Sequence, residues 1–371
     1  MQYWLKLVCL LLFCNVSYAG EPIVIGQSGP LSGPLGVAGR SVKAGMDAYL
    51  ARVQSEGGVA GRKVVLRMLD DGYSVERHVA NVRQLLEEDK VAALVLSAGT
   101  SHIDAAYPIV QKSGKPLIGT MSGAMVLRDA QRSLIYHLRA SYADEVRRLV
   151  AQVQAVAQSR VFAVWQDDGL GRDAFDALEA ALKDARITLV GQQAVSLKSM
   201  DAAAVAAAVR AAKPDALFML CVTPCAAKVL SGVGSDGSYR FTPYALSIVN
   251  GEMLSSTVGQ AARGTVISQV MPNPHLPSTT LVQRYQQDMR RFSEEEKFSY
   301  FSLEGYVAAM VAVEAARVAY TSTPRRTMEE AMQQLVRREI HGMPISRAGT
   351  PGVLPHSVTL SMIGWNGKLV H

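Results

Sequence analysis

The chain has little of what usually marks chemistry. It carries 4 cysteines in 371 residues, and Cys9 and Cys14 fall in its apolar start, which leaves Cys221 and Cys225. Two cysteines without nearby histidines do not make a zinc site. The run Cys-Val-Thr-Pro-Cys leaves a disulfide and two packed, reduced thiols both open. His78, His102, His137, His275, His341, His356 and His371 are scattered without ligand spacing. There is no nucleophile elbow and no phosphate loop, and Gly169-Leu170-Gly171 is too short for a dinucleotide fingerprint. No metal site, cofactor or catalytic residue is expected, and hence no enzyme. Charge of one sign is scarce too. The net is +6, in scattered residues and short pairs such as Arg290-Arg291 and Arg325-Arg326, with no basic stripe interleaved with aromatics, which speaks against a nucleic-acid partner. After the first 19 residues no apolar run reaches the roughly 18 residues of a membrane span.

What is present describes a folded, exported chain. Hydrophobic residues make up 49% and charged ones 19%, the balance of a globular protein rather than a disordered one, and the length suggests two domains. Met1 to Ala19 has one lysine, the apolar core LVCLLLFC, and Ser17-Tyr18-Ala19 before Gly20, the pattern of a secretory signal cleaved after Ala19. Beyond it, short apolar runs alternate with helical periodicity. Strands are expected at Pro22 to Gln27, Val64 to Leu69 and Val91 to Leu96, with helices from about Gly39 to Ser55 and Glu76 to Glu88. A second series of the same kind follows Ser141. Such alternation makes parallel, doubly wound sheets.

The stretch Val91 to Met125 is the most informative. A strand buried on both faces leads to Gly99, then to a helix for which Ser101 and Asp104 have capping-box spacing, then to a second strand that ends at Thr120-Met121-Ser122-Gly123. In an open parallel sheet both loops emerge at the carboxyl ends of the strands, where ligands bind. Free N–H groups at the helix start, with the hydroxyls of Thr100, Ser101 and Ser122, suit a carboxylate.

A resemblance sharpens this. Ile25-Gly26-Gln27-Ser28-Gly29-Pro30-Leu31-Ser32-Gly33, Gly57-Gly58-Val59-Ala60-Gly61-Arg62, Asp70-Asp71, Gly99-Thr100-Ser101, Leu138-Arg139-Ala140-Ser141-Tyr142, Asp167-Asp168-Gly169-Leu170-Gly171, Lys213-Pro214-Asp215-Ala216 and Ser302-Leu303-Glu304-Gly305-Tyr306 follow in order along the chain. Together they resemble the branched-chain amino-acid-binding, type I family of periplasmic substrate-binding proteins that serve ABC transporters. The resemblance implies an α/β fold of two doubly wound parallel-sheet lobes joined by three crossover segments. The first lobe would take residues 20–140 and 270–340, the second 141–269 and 341–371. It implies capture of a small solute, an amino acid or organic acid, between the lobes of a monomer that delivers it to the permease subunits of an ABC importer. A periplasmic sensor subunit, presenting its solute to a membrane receptor, is the alternative.

Carried over position by position, the family's carboxylate contacts fall at Ala98, Gly99, Thr100, Ser101, Met121, Ser122 and Gly123. The ammonium contacts do not carry over. Where amino-acid binders place an acidic side chain and tyrosines, this chain has Ser247, Ala38, Leu170 and Val222. An ammonium buried without a carboxylate partner costs several kcal/mol, so a carboxylate solute with a less polar body is expected, with Trp165, Leu170, Val222 and Phe301 as walls. For Trp165 and Phe301, core packing is the competing reading. Glu252 is the nearest acidic residue that could replace the missing counter-charge.

Overall fold

Each apolar run that is too short and too β-branched for a helix becomes a strand, and the strands sort into two sheets. The structure is a computed structural model, and it describes residues 20–234, 240–293, 297–336, 338–349 and 357–371. The expected signal, residues 1–19, lies outside them. Strands β1 (Ile23–Gly29), β2 (Val64–Asp70), β3 (Ala93–Ala98), β4 (Leu117–Met121) and β5 (Ile135–His137) come first, then β6 (Arg160–Gln166), β7 (Thr188–Val195), β8 (Ala216–Leu220), β9 (Thr242–Ala245) and β10 (Val266–Gln269). The short strands β11 (Ser346–Arg347), β12 (Thr359–Ile363) and β13 (Leu369–Val370) close the chain. One sheet has the order β11-β5-β4-β3-β1-β2, the other β13-β12-β10-β9-β8-β6-β7. β1 to β5 pair in parallel, as do β6 to β10, while β11, β12 and β13 add antiparallel edges.

The two orders share a feature that positions the site. In both sheets the first strand lies between the second and the third, so the connections diverge to opposite faces at β1/β3 and at β6/β8. Doubly wound sheets leave a crevice at such switch points. Here the two crevices belong to separate lobes with separate cores. One apolar cluster joins Ile25, Val95 and Ile118 of the first sheet to Met271, Phe301 and Tyr306, and another joins Val164, Phe218 and Ala245 of the second sheet to Leu170 and Val222.

Helices α1 (Gly36–Ser55), α2 (Val75–Arg83), α3 (Thr100–Ser113), α4 (Tyr142–Ala155), α5 (Gly169–Ala185), α6 (Ala202–Ala212), α7 (Thr223–Val233), α8 (Gly251–Val258), α9 (Thr280–Phe292), α10 (Tyr300–Thr321) and α11 (Met328–Leu335) cover the sheets. The expected helix Gly39 to Ser55 is α1, and the helix expected after Gly99 is α3. The expected helix Glu76 to Glu88 is instead α2 continued by one π-helical turn, Gln84–Glu88. α10 is apolar over most of its surface because most of it is buried, with Glu304 the charged side chain inside. It lies against α1 so closely that a Cβ on Gly45 would come within 1.8 Å of the Ser302 carbonyl, and one on Gly305 within 2.1 Å of the Val42 carbonyl. Among the described residues no helix is long and apolar enough to cross a membrane.

The chain leaves the first core after Leu138, returns to it with Met271 and stays through Ile345. Ser346 then pairs with His137, and Arg347 with Tyr136, at the edge of the first sheet. The last crossing therefore lies beyond Arg347, not at Ile340 as expected, because Met343, Ile345 and β11 find their apolar and hydrogen-bond partners in the first lobe.

Candidate functional site

The loops at the two switch points face each other across a narrow cavity. The first lobe lines it with Gln27, Gly29 and Pro30 from the end of β1, Leu35, Ala38 and Val42 from the start of α1, and Met68, Tyr73, Ala98, Gly99, Met121 and Phe301. The second lobe adds Leu170, Val222, Thr223 and Ile248. None of these side chains is a carboxylate, an ammonium or a guanidinium.

Six of the expected residues, Ala98, Gly99, Met121, Leu170, Val222 and Phe301, thus meet at one cavity. Gly99 is the N-cap of α3, with φ 88°, a conformation open to glycine and strained for other residues. The expected capping box is absent. Ser101 lies one residue inside the helix, and its Oγ accepts instead from the Gly169 N–H of the other lobe, at 3.0 Å. The first N–H of α3 to find a helical partner belongs to Ile103, bonded to the Gly99 carbonyl at 3.0 Å, so the preceding N–H groups have no partner within the helix. Thr100 and Ser122 are buried, and their hydroxyls bond each other at 2.7 Å. Thr100 and Ser101 border a separate recess, shared with Gly169 and Asp173. Gly123 carries the chain past Tyr142 in a space too small for a Cβ.

Thr100, Ser101, Ser122 and Gly123 sit in these loops without lining the cavity, and Trp165 and Ser247 stand elsewhere. Trp165 is absent from the cavity lining: its ring stacks on Phe175 at 5.4 Å between centroids, and its indole N–H donates to Gln192 Oε1 at 2.6 Å. Half-buried, it packs against the second core, so in this structure Trp165 serves packing and not the cavity wall. Ser247 lies in an adjoining recess with Phe301 and Glu252. Its Oγ accepts from Arg139 Nη2 at 3.0 Å and its N–H donates to Glu145 Oε2 at 2.8 Å. Glu252, proposed as a counter-charge, is 43% exposed and holds His275 at 3.1 Å; it does not line the main cavity. Cys221 and Cys225 are joined as a disulfide across the start of α7, bracketing Val222 and Thr223.

Around Ser247 lies a charged network where the lobes join. Arg139, on the first crossing, is 1% exposed, and its Nε stands 3.0 Å from Glu304 Oε1 of α10. Glu145 of α4, wholly buried, accepts from Ser268 Oγ at 2.6 Å as well as from Ser247. Burial works against the Arg139 charge, yet the two carboxylates, Glu304 first, more than offset it and its pKa is raised. Burial pushes the Glu145 carboxyl up despite the pull of Arg139. None of these three groups lines the main cavity.

Sequence reasoning missed Tyr73 and Gln27. Tyr73 has φ 62°, a costly conformation for a bulky residue that is found mainly where function holds it. It is kept there by its N–H bond to Asp71 Oδ1 at 2.8 Å and by its ring against His102, 4.4 Å between centroids. Burial pushes the Tyr73 phenol far up and pulls the His102 imidazole down, so both rings are neutral. Nothing in the loop Asp-Asp-Gly-Tyr signals this strain. Gln27 did leave a trace, as the one long polar side chain in an otherwise apolar or small-residue strand.

Comparison with known proteins agrees with this geometry. The sequence profile described as periplasmic binding protein matches residues 22–360. A Leu/Ile/Val-binding protein homologue from Brucella abortus is 22% identical over 317 residues, 80% of this chain and 77% of the relative. A substrate-binding periplasmic protein from Ralstonia solanacearum superposes with a TM-score of 0.83 at 25% identity, over 94% of this chain and 99% of that one. A branched-chain amino acid ABC transporter protein from Thermus thermophilus, with bound valine, shares the fold at 19% identity and a TM-score of 0.81, over 95% of each chain. With two doubly wound lobes closing on a cavity and a profile match over almost its whole length, the chain belongs to the type I, branched-chain amino-acid-binding family of periplasmic binding proteins, extracytoplasmic proteins that hold a solute between their lobes.

Proposed function

We propose that this protein is the solute-binding component of an ABC importer, acting as a monomer with membrane permease subunits, and that its solute is a small carboxylate without an α-ammonium group. The observation that carries the reading is the cavity wall: Gly99, the N-cap of α3, opens on it, while no charged side chain does. A helix start offers N–H groups and the positive end of the helix dipole to an anion. An ammonium in the same space would meet apolar side chains, and burying it unpaired costs several kcal/mol. Apolar walls such as Leu35, Val42, Met68, Leu170, Ile248 and Phe301 suit an aliphatic or aromatic body. The valine in the Thermus thermophilus protein belongs to a shared fold, and it is the side chains at the cavity that select the solute. A thermal-shift panel tests this by pairing leucine, valine and phenylalanine with their deaminated acids, because a ligand raises apparent stability by mass action. The acids are expected to raise the melting temperature more than the matching amino acids. A response to the amino acids alone would refute the reading.

A further inference from the structure

Gln27 is 2% exposed, in a strand covered on both faces where apolar side chains are the rule. Its carboxamide has a fixed sense. Nε2 donates to the Leu96 carbonyl at 3.0 Å, and since two carbonyl oxygens cannot bond each other, that contact settles which end is nitrogen. The other end, Oε1, is buried and has no hydrogen-bond partner. Gln27 is also one of the few polar side chains at the cavity. A buried acceptor is expensive to leave unmade, and here the unmade valence belongs to a residue of the binding cavity.

We propose that Gln27 Oε1 reads a single neutral hydrogen-bond donor on the solute, so that the site is built for a carboxylate that also bears a hydroxyl group. The inference rests on the carboxylate reading above and narrows it. One amide oxygen matches one O–H. An ammonium would bring three N–H groups and a charge that this oxygen cannot balance, and a plain acid would leave the oxygen orphaned. A site with a buried polar group discriminates strongly against the analogue that fails to satisfy it. Gln27 is thus a specificity-determining residue, separate from the α3 start that holds the anion.

Calorimetric titration with named compounds tests this: 4-methylpentanoate, 2-hydroxy-4-methylpentanoate and leucine, together with benzoate and its 2-, 3- and 4-hydroxy forms, which move the donor around the ring. At least one hydroxylated acid is expected to bind about tenfold more tightly than its parent, the size of one well-made hydrogen bond. In Gln27→Met, which keeps length and loses the acceptor, that advantage, read as the ratio of the two dissociation constants within the variant, should fall below about threefold. The wild-type comparison needs no variant, and the melting temperature of unliganded Gln27→Met reports whether it folds. If the parent acids bind and no hydroxylated form binds more tightly, the role of Gln27 is overturned and the carboxylate reading stands. An advantage that survives in Gln27→Met also overturns that role. Binding of leucine alone, or of none of these compounds, overturns both.

Discussion

The buried arginine at the junction of the lobes invites a quantitative test, Arg139→Met. The substitution keeps most of the side-chain volume and removes the charge 3.0 Å from Glu304. At an effective dielectric constant of about 20, that attraction is roughly 5–6 kcal/mol. The variant can escape part of the loss by taking up a proton. A glutamate whose ordinary pKa is 4.5 costs about 3.4 kcal/mol to hold neutral at pH 7 and about 0.7 kcal/mol at pH 5. The expected loss of stability is therefore about 3–4 kcal/mol at pH 7, within the range for breaking buried ion pairs, and it should shrink by 2 kcal/mol or more, roughly, at pH 5. The sign follows from linkage. Burial already raises the Glu304 carboxyl with Arg139 beside it, and losing Arg139 raises it further, so the folded variant binds the extra proton; its stability is intact below about pH 4.5 and is lost as pH rises through the folded pKa. Urea unfolding of wild type and variant at both pH values, followed by two probes because the lobes can separate in stability, measures this. A loss under about 1 kcal/mol at pH 7, or one equally large at pH 5, would refute the account. Arg139→Met combined with Glu304→Leu should recover most of the loss, since an apolar pair of similar volume replaces the ion pair.

Thr100→Ala and Ser122→Ala should each weaken binding of an identified carboxylate by about 1–3 kcal/mol, as read by calorimetry; unchanged affinity in both would remove this pair from the site. Gly45→Ala places a Cβ 1.8 Å from the Ser302 carbonyl, backbone that cannot swing aside, so it should lower stability by at least about 2 kcal/mol in thermal unfolding, whereas a neutral effect would show that α1 and α10 are free to move apart.

Much of this architecture was legible because parallel strands announce themselves. β3 and β8 are built on short apolar runs bounded by glycine or polar residues, of a length that suits a strand buried on both faces. Exit loops are located by the same pattern, and it is the resemblance to the binding-protein family that singles out Ala98, Gly99 and Met121 within them. The details that failed depend on distant partners. Ser101 has the spacing of a cap, but local spacing does not reveal that Gly169 of the other lobe will claim its hydroxyl. Trp165 shows the opposite limit: β6 is apolar from Val161 to Trp165 and buried on both faces, so nothing in the sequence shows which side the cleft is on. β11 was invisible because two residues carry no periodicity, and its place comes from pairing with Tyr136 and His137. Tyr73 illustrates a third kind of gap, since its strained backbone is imposed by Asp71 and His102 and not by its own preference.

The bonds that Ser101 and Asp173 make across the cleft have a further consequence. The Gly169 N–H on Ser101 Oγ and the Met125 N–H on Asp173 Oδ2, at 3.0 and 2.7 Å, join the lobes without touching the interior of the cavity. They favour the shut arrangement equally for any occupant. Apparent affinity scales with the fraction of molecules in the binding-competent arrangement, so these two contacts act as a common multiplier on every dissociation constant, while Gln27 and the cavity walls set the ratios between them. Selection could therefore raise or lower the strength of capture at the rim without altering what is captured.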